Sequence, residues 1–286
     1  MPLLKVILLA IVQGLAELLP VSSSAHVVVA EKLMGLDPSS PQMTLLLVML
    51  HTGTMFAVIV YFWRQWMKAY FDSMDHFKKF AARVIVATVL TGIIGEVIIK
   101  ILEKTVFKDT PHAQIEDLFG HLEIVAPALA AAGILILIAG IAKRNASHVA
   151  ITEAPEVTMG QASLIGAIQG LCLPFRGFSR SGATISTGML AGAARSRAEA
   201  FSFALAVVLT PAVVGREALR LAHAGVADSG GSPVAMSLLG MVFAFLAGLV
   251  ALKWLSQWLE SGRWYLFGIY CLVASVVVFV LHQHGY

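Results

Sequence analysis

Residues 13–26 have the sequence QGLAELLPVSSSAH, and they decide the fold because the pattern occurs again at residues 169–184, QGLCLPFRGFSRSGAT. Both segments begin with Gln-Gly-Leu and continue through apolar residues and a proline to a cluster of hydroxyl groups. Charged and histidine side chains are costly in hydrocarbon and are usually retained there for function. The two segments are therefore the first candidates for a functional site.

The composition indicates an integral membrane protein. Of the 286 residues, 58% are hydrophobic and 13% are charged, whereas soluble domains carry about 25% charged residues. The mean hydropathy is +0.83 and the net charge is +3. No concentrated basic face is visible, so we expect no nucleic-acid partner. Cys172 and Cys271 lie far apart in apolar segments, which predicts neither a disulfide framework nor a metal site.

Six apolar stretches are long enough to span hydrocarbon about 30 Å thick, which needs roughly 20 helical residues. They are residues 43–63, 83–102, 124–142, 199–222, 234–255 and 264–282. A polar connection rich in Lys and Arg is predicted at residues 64–82. The apolar start of the chain lacks a clean small-residue cleavage site, so we expect the mature chain to begin near Met1.

The two motif regions, residues 3–34 and 160–195, differ from these spans. Each contains two apolar stretches of roughly a dozen residues around a polar break, which suits a helix pair that enters the membrane and returns to the same side. Non-helical backbone at that depth is tolerated where it is buried in protein or lines a wet cavity. Three spans separate the two regions, so the second copy is inverted relative to the first, as is common among secondary transporters.

The sequence thus predicts an all-α integral membrane protein with six transmembrane helices plus two re-entrant helix pairs in an inverted-topology repeat. We expect a single transmembrane domain over residues 1–286, with repeat halves at approximately 1–142 and 160–286. If the first re-entrant region opens outward, Lys and Arg are more frequent in the inner connections, which agrees with the positive-inside rule. Small residues such as Gly240, Ala244 and Gly248 allow close helix packing, and a homodimer stays open.

The second motif has the groups of a phosphate site. Ser179, Ser181 and Thr184 lie at the predicted start of a helix, and a helix N-terminus with hydroxyl caps binds phosphate. Arg180 adds a planar fork that suits phosphate oxygens. The alternative is that the serines only cap the helix and that Arg180 extends to the membrane interface. Apolar residues on both sides of the motif favour the functional interpretation of Arg180.

The first motif combines a carboxylate, hydroxyl groups and a histidine in Glu17, Ser22–Ser24 and His26. A hydroxyl becomes a good nucleophile when a base accepts its proton, and His26 could be that base or a general acid. Glu17 could ligate a divalent metal, orient His26 or activate water. His51, inside a predicted span, either lines the site or forms a hydrogen bond that packs it against the first motif.

Together these groups suggest hydrolysis of a phosphoester or a pyrophosphate that has a lipid tail. A secondary transporter or lipid flippase is the alternative, because inverted repeats with broken helices are typical of transporters. A transporter needs no serine, histidine and glutamate beside an arginine phosphate clamp, so we favour the enzyme. Fold alone does not decide between the two.

The motifs resemble those of the undecaprenyl pyrophosphate phosphatases, the bacitracin-resistance family. The similarity is carried by residues 13–26, 177–184 and 201–206, the last with the sequence FSFALA, and it covers essentially the whole chain. It implies a multi-pass protein of the bacterial inner membrane with a cavity open to the periplasm. It implies removal of the terminal phosphate of undecaprenyl pyrophosphate, which regenerates the lipid carrier for peptidoglycan synthesis and confers bacitracin resistance. It also implies a divalent cation, magnesium or calcium.

By position, the resemblance implies that Glu17 is the essential acidic residue and metal ligand and that Ser23 is the candidate nucleophile. It assigns the acid or base to His26 and the pyrophosphate clamp to Arg180. Whether Ser23, His26 or a water activated by a metal on Glu17 attacks the phosphate stays open. The expected substrate-binding residues are Gln13, Ser22, Ser24, His51, Arg176, Ser179, Ser181 and Thr184.

Departures from the family pattern affect the details of the site. Gln13 stands where many relatives have glutamate, and a neutral amide is a weaker metal ligand, so a metal site would depend mainly on Glu17 and substrate oxygens. Before Ser179 the usual Pro-Gly pair is replaced by the longer stretch of residues 174–177. The additional Arg176 could contact a second phosphate group or reshape the break.

Overall fold

The computed structural model describes residues 2–37, 40–106, 122–144, 149–175, 177–223 and 231–284, and within these ranges the regular structure is entirely α-helical. The helices are α1 (Leu3–Leu18), α2 (Ser23–Leu33), α3 (Pro41–Tyr70), α4 (Met74–Val106), α5 (Leu122–Ala142), α6 (Met159–Cys172), α7 (Arg180–Leu190), α8 (Arg195–His223), α9 (Gly231–Glu260) and α10 (Trp264–Gln283). The predicted all-α class is confirmed for the described part of the chain.

Both motifs form a helix, a break and a second helix, as the sequence predicts. The breaks are residues 19–22 and 173–179, and in each pair the two short helices pack against each other. α1 ends because Leu19 precedes Pro20 and adopts an extended conformation, with φ −78° and ψ 150°. Each short pair is followed by three long helices, so the order of elements repeats after α5.

Five helices are long and apolar enough to cross a membrane. These segments are Gln42–Tyr70, Met74–Thr105, Leu122–Ala142, Val234–Glu260 and Trp264–Gln283. They cover five of the six predicted spans. The remaining span, residues 199–222, lies in α8, which begins with several charged residues and contains Pro211. The helices therefore support a multi-pass membrane protein, and the sixth span stays a prediction.

The predicted connection at residues 64–82 is wrong in its extent. α3 and α4 both continue into it, so that only residues 71–73 lie between the two helices. Charged pairs at helical spacing, such as Asp75 with Lys79, stabilise a helix outside its apolar segment. The two helices are therefore longer than the spans that hydropathy detects.

The chain divides into two compact units, and each takes helices from both predicted repeat halves. The first unit consists of Met1–Leu19, Ser23–Trp63 and Ala206–Gln257. The second consists of Pro20–Ser22, Arg64–Leu205 and Trp258–Tyr286. The units differ from the repeat halves because close packing joins helices from different halves within each unit.

In the first unit, α1 and α3 pack against α9 at glycines. A Cβ atom on Gly14 would lie 2.7 Å from the carbonyl oxygen of Ala244, and one on Gly53 would collide with the carbonyl oxygen of Met241. Larger side chains at these positions would force the helices apart. Gly240 of α9 also packs within the unit, against side chains of α1 and α3. The small residues that permit a homodimer are thus used inside the chain, and the homodimer stays a prediction.

In the second unit, α6 packs against α4 in a similar way. A Cβ atom on Gly166 would collide with the backbone of Ala87, and one on Gly170 would lie 2.7 Å from the carbonyl oxygen of Thr91. Gly170 and Gly14 occupy the same position in the two motifs. The glycine of the repeated Gln-Gly pair therefore permits close helix packing in each unit, whatever role the motifs have in a reaction.

α5 and α10 pack closely against each other within the second unit, and the breaks of both motifs contact this pair of helices. A Cβ atom on Gly133 of α5 would lie 3.0 Å from the carbonyl oxygen of Gly268 of α10. Arg195, the first residue of α8, donates to the carbonyl oxygens of Arg144 and Leu259 at 3.1 Å each. Cations at helix C-termini interact favourably with the exposed carbonyl groups, so Arg195 stabilises the ends of α5 and α9 together.

Candidate active site

Glu17 is the centre of the polar contacts in the first motif. It lies in the last turn of α1, one turn after the buried Gln13, whose Nε2 donates to Glu17 Oε2 at 3.2 Å. Ser23, the first residue of α2, donates its hydroxyl proton to the same oxygen. Because a serine hydroxyl has one proton, the Ser23 proton points to Glu17 in this structure.

His51 of α3 approaches the same carboxylate from a different helix. Its Nδ1 bonds to the carbonyl oxygen of Leu47 at 2.8 Å and must be the donor, because a carbonyl can only accept. A neutral ring therefore keeps its lone pair on Nε2, which lies 3.7 Å from Glu17 Oε2. The structure thus brings His51 to the first motif, where the sequence left two interpretations open.

The break Pro20–Ser22 belongs to the second unit and contacts α10 there. The Cys271 thiol donates to the carbonyl oxygen of Pro20 at 3.3 Å. Ser22 is buried and has φ 67°, in the left-handed region, which costs a residue other than glycine roughly 1–3 kcal/mol. Strain of this kind is typical of functional turns. The sequence predicts the break, but it gave no signal for the contact from Cys271.

Ser24 and His26 are half-buried in the first turn of α2. His26 follows Ser23 by three residues, so the two side chains share one face of the helix. This placement is compatible with the predicted role of His26 as an acid or base close to Ser23, and that role stays a prediction.

In the second motif, α7 begins at Arg180 and is capped by Ser179. The Ser179 side chain accepts from the Gly182 N–H at 3.2 Å, and its carbonyl oxygen accepts from the Ala183 N–H at 2.9 Å. Ser179 therefore has the capping role that the sequence offers for it, and phosphate binding by Ser179 stays a prediction. Arg176 lies outside the described residues.

Gly177 fixes the path of the second break. Its φ is 102°, and a Cβ atom there would collide with the carbonyl oxygen of Val125 in α5. The left-handed conformation and the close approach both require glycine. Further along α5, Ile136 lies against Gly182, where a Cβ atom would meet Ile136 Cδ1 at 2.5 Å. The second break and the first turn of α7 therefore each pack against α5.

The first break contacts the pair formed by α5 and α10 through α10. Cys271, which binds the Pro20 carbonyl, lies beside Gly133, where a Cβ atom would be 3.0 Å from that of Cys271. At a rise of 1.5 Å per residue, Gly133 is about 12 Å from Val125 and about 4.5 Å from Ile136 along α5. Cys271, which holds the turn of the first motif, therefore packs against α5 between the two α5 contacts of the second motif.

Thr184 is fully buried, and its hydroxyl contacts three protein groups, the most distant of which is the carbonyl oxygen of Ser181 at 3.4 Å. Oγ1 donates to the carbonyl oxygen of Arg180 at 2.7 Å and lies 2.6 Å from Oγ of Ser202 in α8. Ser181 is buried as well, and Arg180 is half-buried. The sequence gave Ser202 no role, and its one signal is the resemblance of residues 201–206 to the bacitracin-resistance family.

The divalent cation that the sequence leads us to expect would have Glu17 as its carboxylate ligand, and it stays a prediction. Within the described residues, no three His, Cys, Asp or Glu side chains are arranged to hold a metal ion. Beside Glu17 stand the hydroxyl of Ser23 and the amide of Gln13. Magnesium is often bound by one or two carboxylates together with phosphate oxygens of the substrate. A site that depends mainly on Glu17 and substrate oxygens agrees with this donor set.

Known proteins resemble the chain over almost its whole length. The sequence model of the family described as Bacitracin resistance protein BacA matches residues 6–277. Undecaprenyl-diphosphatase 2 of Acinetobacter baylyi is 56% identical over 98% of this chain and 98% of that protein. Undecaprenyl-diphosphatase of Desulfatibacillum aliphaticivorans is 35% identical over 97% of this chain and 98% of its own. Undecaprenyl-diphosphatase 1 of Clostridioides difficile is 33% identical over 96% of this chain and 94% of its own.

Proposed function

Because this chain belongs to the bacitracin resistance protein BacA family, it is a membrane hydrolase of undecaprenyl diphosphate, and we propose that Glu17, Ser23 and Arg180 carry the reaction. The products are undecaprenyl phosphate and inorganic phosphate, so the enzyme is a phosphoric anhydride hydrolase. The lipid monophosphate is the carrier for peptidoglycan synthesis, and its regeneration confers resistance to bacitracin.

The hydrogen bond from Ser23 to Glu17 is the observation that carries this mechanism. A serine becomes a strong nucleophile when an adjacent base takes its proton. As Ser23 Oγ attacks the terminal phosphorus, the proton passes to Glu17, and the bond from that phosphorus to the bridging oxygen breaks. Undecaprenyl phosphate leaves. Water then hydrolyses the phosphoserine, which releases inorganic phosphate and restores the hydroxyl, with His26 as the candidate acid or base.

A divalent cation, magnesium or calcium, would neutralise negative charge on the diphosphate when bound. Glu17 and substrate oxygens would hold it, with Gln13 as a neutral neighbour. Direct attack by a water molecule, with Glu17 as the base, is the closest alternative to attack by Ser23. Both routes need the Glu17 carboxylate, so the assignment of Glu17 is independent of the choice between them.

Arg180 and the N-terminus of α7 bind the diphosphate in this proposal. A guanidinium fork and a capped helix N-terminus both favour phosphate oxygens. The repeat of one sequence pattern in both motifs supports the proposal that both act on one diphosphate. The serines at positions 22, 24, 179 and 181 are proposed as further phosphate contacts.

The proposed arrangement in the bacterial inner membrane makes α8 the sixth span and the two short helix pairs re-entrant. The repeated order of one short pair and three long helices supports an inverted repeat. The distribution of Lys and Arg supports a site that opens to the periplasm.

Thiol labelling tests this orientation at the two ends of α4. Lys78 and Lys104 are exposed near opposite ends of the helix, about 39 Å apart at 1.5 Å per residue. The native Cys172 and Cys271 are buried, so their background labelling should be low. Lys104→Cys should react with a membrane-impermeant reagent in intact spheroplasts, and Lys78→Cys only after the membrane is opened. Labelling of Lys78→Cys alone in intact spheroplasts would reverse the orientation.

A secondary transporter is the alternative that the repeated element order alone would favour. The serine–carboxylate pair favours the hydrolase, because transport needs no nucleophile. Purified protein in detergent has no gradient across it, so transport cannot occur there. Release of phosphate from undecaprenyl diphosphate under these conditions is the expected result, and binding without release would contradict the proposed function.

A further inference from the structure

We infer that Ser202 is a positioning residue for Arg180 and that it acts through Thr184. The inference rests on the proposed function, because it concerns the turn that we assign to phosphate binding. Ser202 in α8 and Thr184 in α7 belong to the second unit, and both are fully buried. Their hydroxyl oxygens lie 2.6 Å apart, which makes this a short hydrogen bond between two helices.

The direction of the hydrogen bonds follows from the number of protons. Thr184 Oγ1 lies 2.7 Å from the carbonyl oxygen of Arg180 and 3.4 Å from that of Ser181, and a carbonyl can only accept, so Thr184 donates its single proton mainly to Arg180. Ser202 must then donate to Thr184. The two bonds form a relay from Ser202 through Thr184 to the backbone of Arg180, and its end lies on the residue that we propose binds the diphosphate.

The relay and the helix cap hold different groups of the same turn: the relay holds the Arg180 carbonyl group, and the cap holds N–H groups. Ser179 bonds the N–H groups of Gly182 and Ala183 and thereby fixes the N-terminal side of the turn. The relay bonds the Arg180 carbonyl group and connects the turn to α8. Buried hydrogen bonds in a chain polarise one another, so the loss of Ser202 weakens the bond to Arg180 as well. A bidentate fork depends on its orientation, which is why a small shift of this turn matters for phosphate binding.

Ser186 offers a matched control on the same helix. It is fully buried and accepts from Trp264 Nε1 at 3.0 Å. Ser186→Ala and Ser202→Ala each remove one hydroxyl group and one buried hydrogen bond of α7. Only Ser202 is connected to the carbonyl group of Arg180 through Thr184. A general loss of stability should therefore appear in both variants, whereas a loss of phosphate positioning should appear in Ser202→Ala alone.

Two measurements on the full-length protein in detergent test the inference. We expect Ser202→Ala to lower kcat/KM for undecaprenyl diphosphate about tenfold, and Ser186→Ala to leave it within about twofold. The rise in Tm caused by inorganic diphosphate should shrink in Ser202→Ala and persist in Ser186→Ala. Ser202→Thr keeps a hydroxyl donor and should recover most of both signals.

A double-mutant cycle shows whether Ser202 acts through the Arg180 fork. Lysine is a point charge whose binding depends less on orientation. In an Arg180→Lys background, Ser202→Ala should therefore cost less than about threefold in kcat/KM. An equal cost in both backgrounds, or equal losses from Ser202→Ala and Ser186→Ala, would overturn the inference.

The two readouts separate this inference from the proposed function. If the parent protein released no phosphate, the proposed function would be contradicted, but stabilisation by inorganic diphosphate would still report on phosphate binding. A Ser202→Ala variant with the parent's stabilisation by diphosphate would then overturn the positioning role by itself. A parent protein that is neither active nor stabilised would contradict both.

Discussion

Glu17→Gln should lower kcat for phosphate release by about 10³-fold, because a positioned general base contributes 10²- to 10⁴-fold. The amide keeps the size of the side chain and can accept the hydrogen bond from Ser23, so the variant should fold. It cannot take the hydroxyl proton. The dependence of the residual rate on magnesium should also flatten, since a carboxylate ligand is lost. Initial rates of phosphate release across a magnesium series measure both effects.

Glu96→Gln is the matched control for this change. Glu96 is a carboxylate inside the predicted span 83–102, and it pairs at 3.2 Å with Lys100 of its own helix. Glu96 lies outside both motifs and pairs within its own helix, so the rate of Glu96→Gln should stay within about twofold of the parent rate. A Glu17→Gln protein with the parent's rate and the parent's response to magnesium would remove Glu17 from the reaction.

Arg180→Ala should reduce kcat/KM for undecaprenyl diphosphate by about 10³-fold, because one donor to a developing charge contributes about 10²- to 10³-fold and the guanidinium supplies more than one. Arg180→Lys should retain part of the rate, since it keeps the charge but loses the fork. The cap joins Ser179 to Gly182, and the Thr184 bond uses only the backbone of Arg180, so both remain in the two variants and their Tm should stay close to that of the parent. Steady-state kinetics and thermal unfolding check these expectations.

Arg144→Ala separates loss of the clamp from loss of a positive charge. Arg144 is exposed, and its guanidinium lies 5.4 Å from the ring centroid of Tyr265, outside both motifs. Its replacement should change kcat/KM by less than about twofold. If Arg180→Ala lost no more activity than Arg144→Ala, the diphosphate would have to bind elsewhere.

The local form of both motifs could be predicted from the sequence because it depends on residues that are close in the chain. Pro20 ends α1 through its effect on Leu19, and Ser179 caps α7 from the adjacent position. The hydroxyl clusters after each proline mark the starts of α2 and α7. These features follow from backbone sterics and from the unpaired N–H groups of a helix start.

Partners that come from helices distant in the sequence could be predicted only in part. The sequence predicts that His51 lies at the site or beside the first motif, and it reaches Glu17 from α3, whereas nothing predicts that Cys271 contacts Pro20 across 251 positions. A cysteine in an apolar helix is most often a small core residue, so nothing in the sequence of α10 indicates its bond to a carbonyl group. The sequence places the Thr184 hydroxyl in a motif that resembles a phosphate site. It does not show that this hydroxyl bonds to Ser202 in α8.

Hydropathy predicts the apolar part of a helix and not its ends. The predicted connection at residues 64–82 contains the ends of α3 and α4, since charged pairs continue a helix into water. α8 shows the converse case. It is a single helix over the predicted span, yet the charges at its start and Pro211 keep its membrane placement a prediction.

The most direct test of the central claim follows the oxygen of water during hydrolysis by the purified protein. Undecaprenyl diphosphate and magnesium are incubated with the protein in water that is enriched in the heavy oxygen isotope, and mass spectrometry detects the isotope in both products. Attack at the terminal phosphorus predicts equal amounts of inorganic phosphate and undecaprenyl phosphate, with the isotope in the inorganic phosphate alone. Incorporation into the lipid phosphate, or no release of phosphate, would contradict the account.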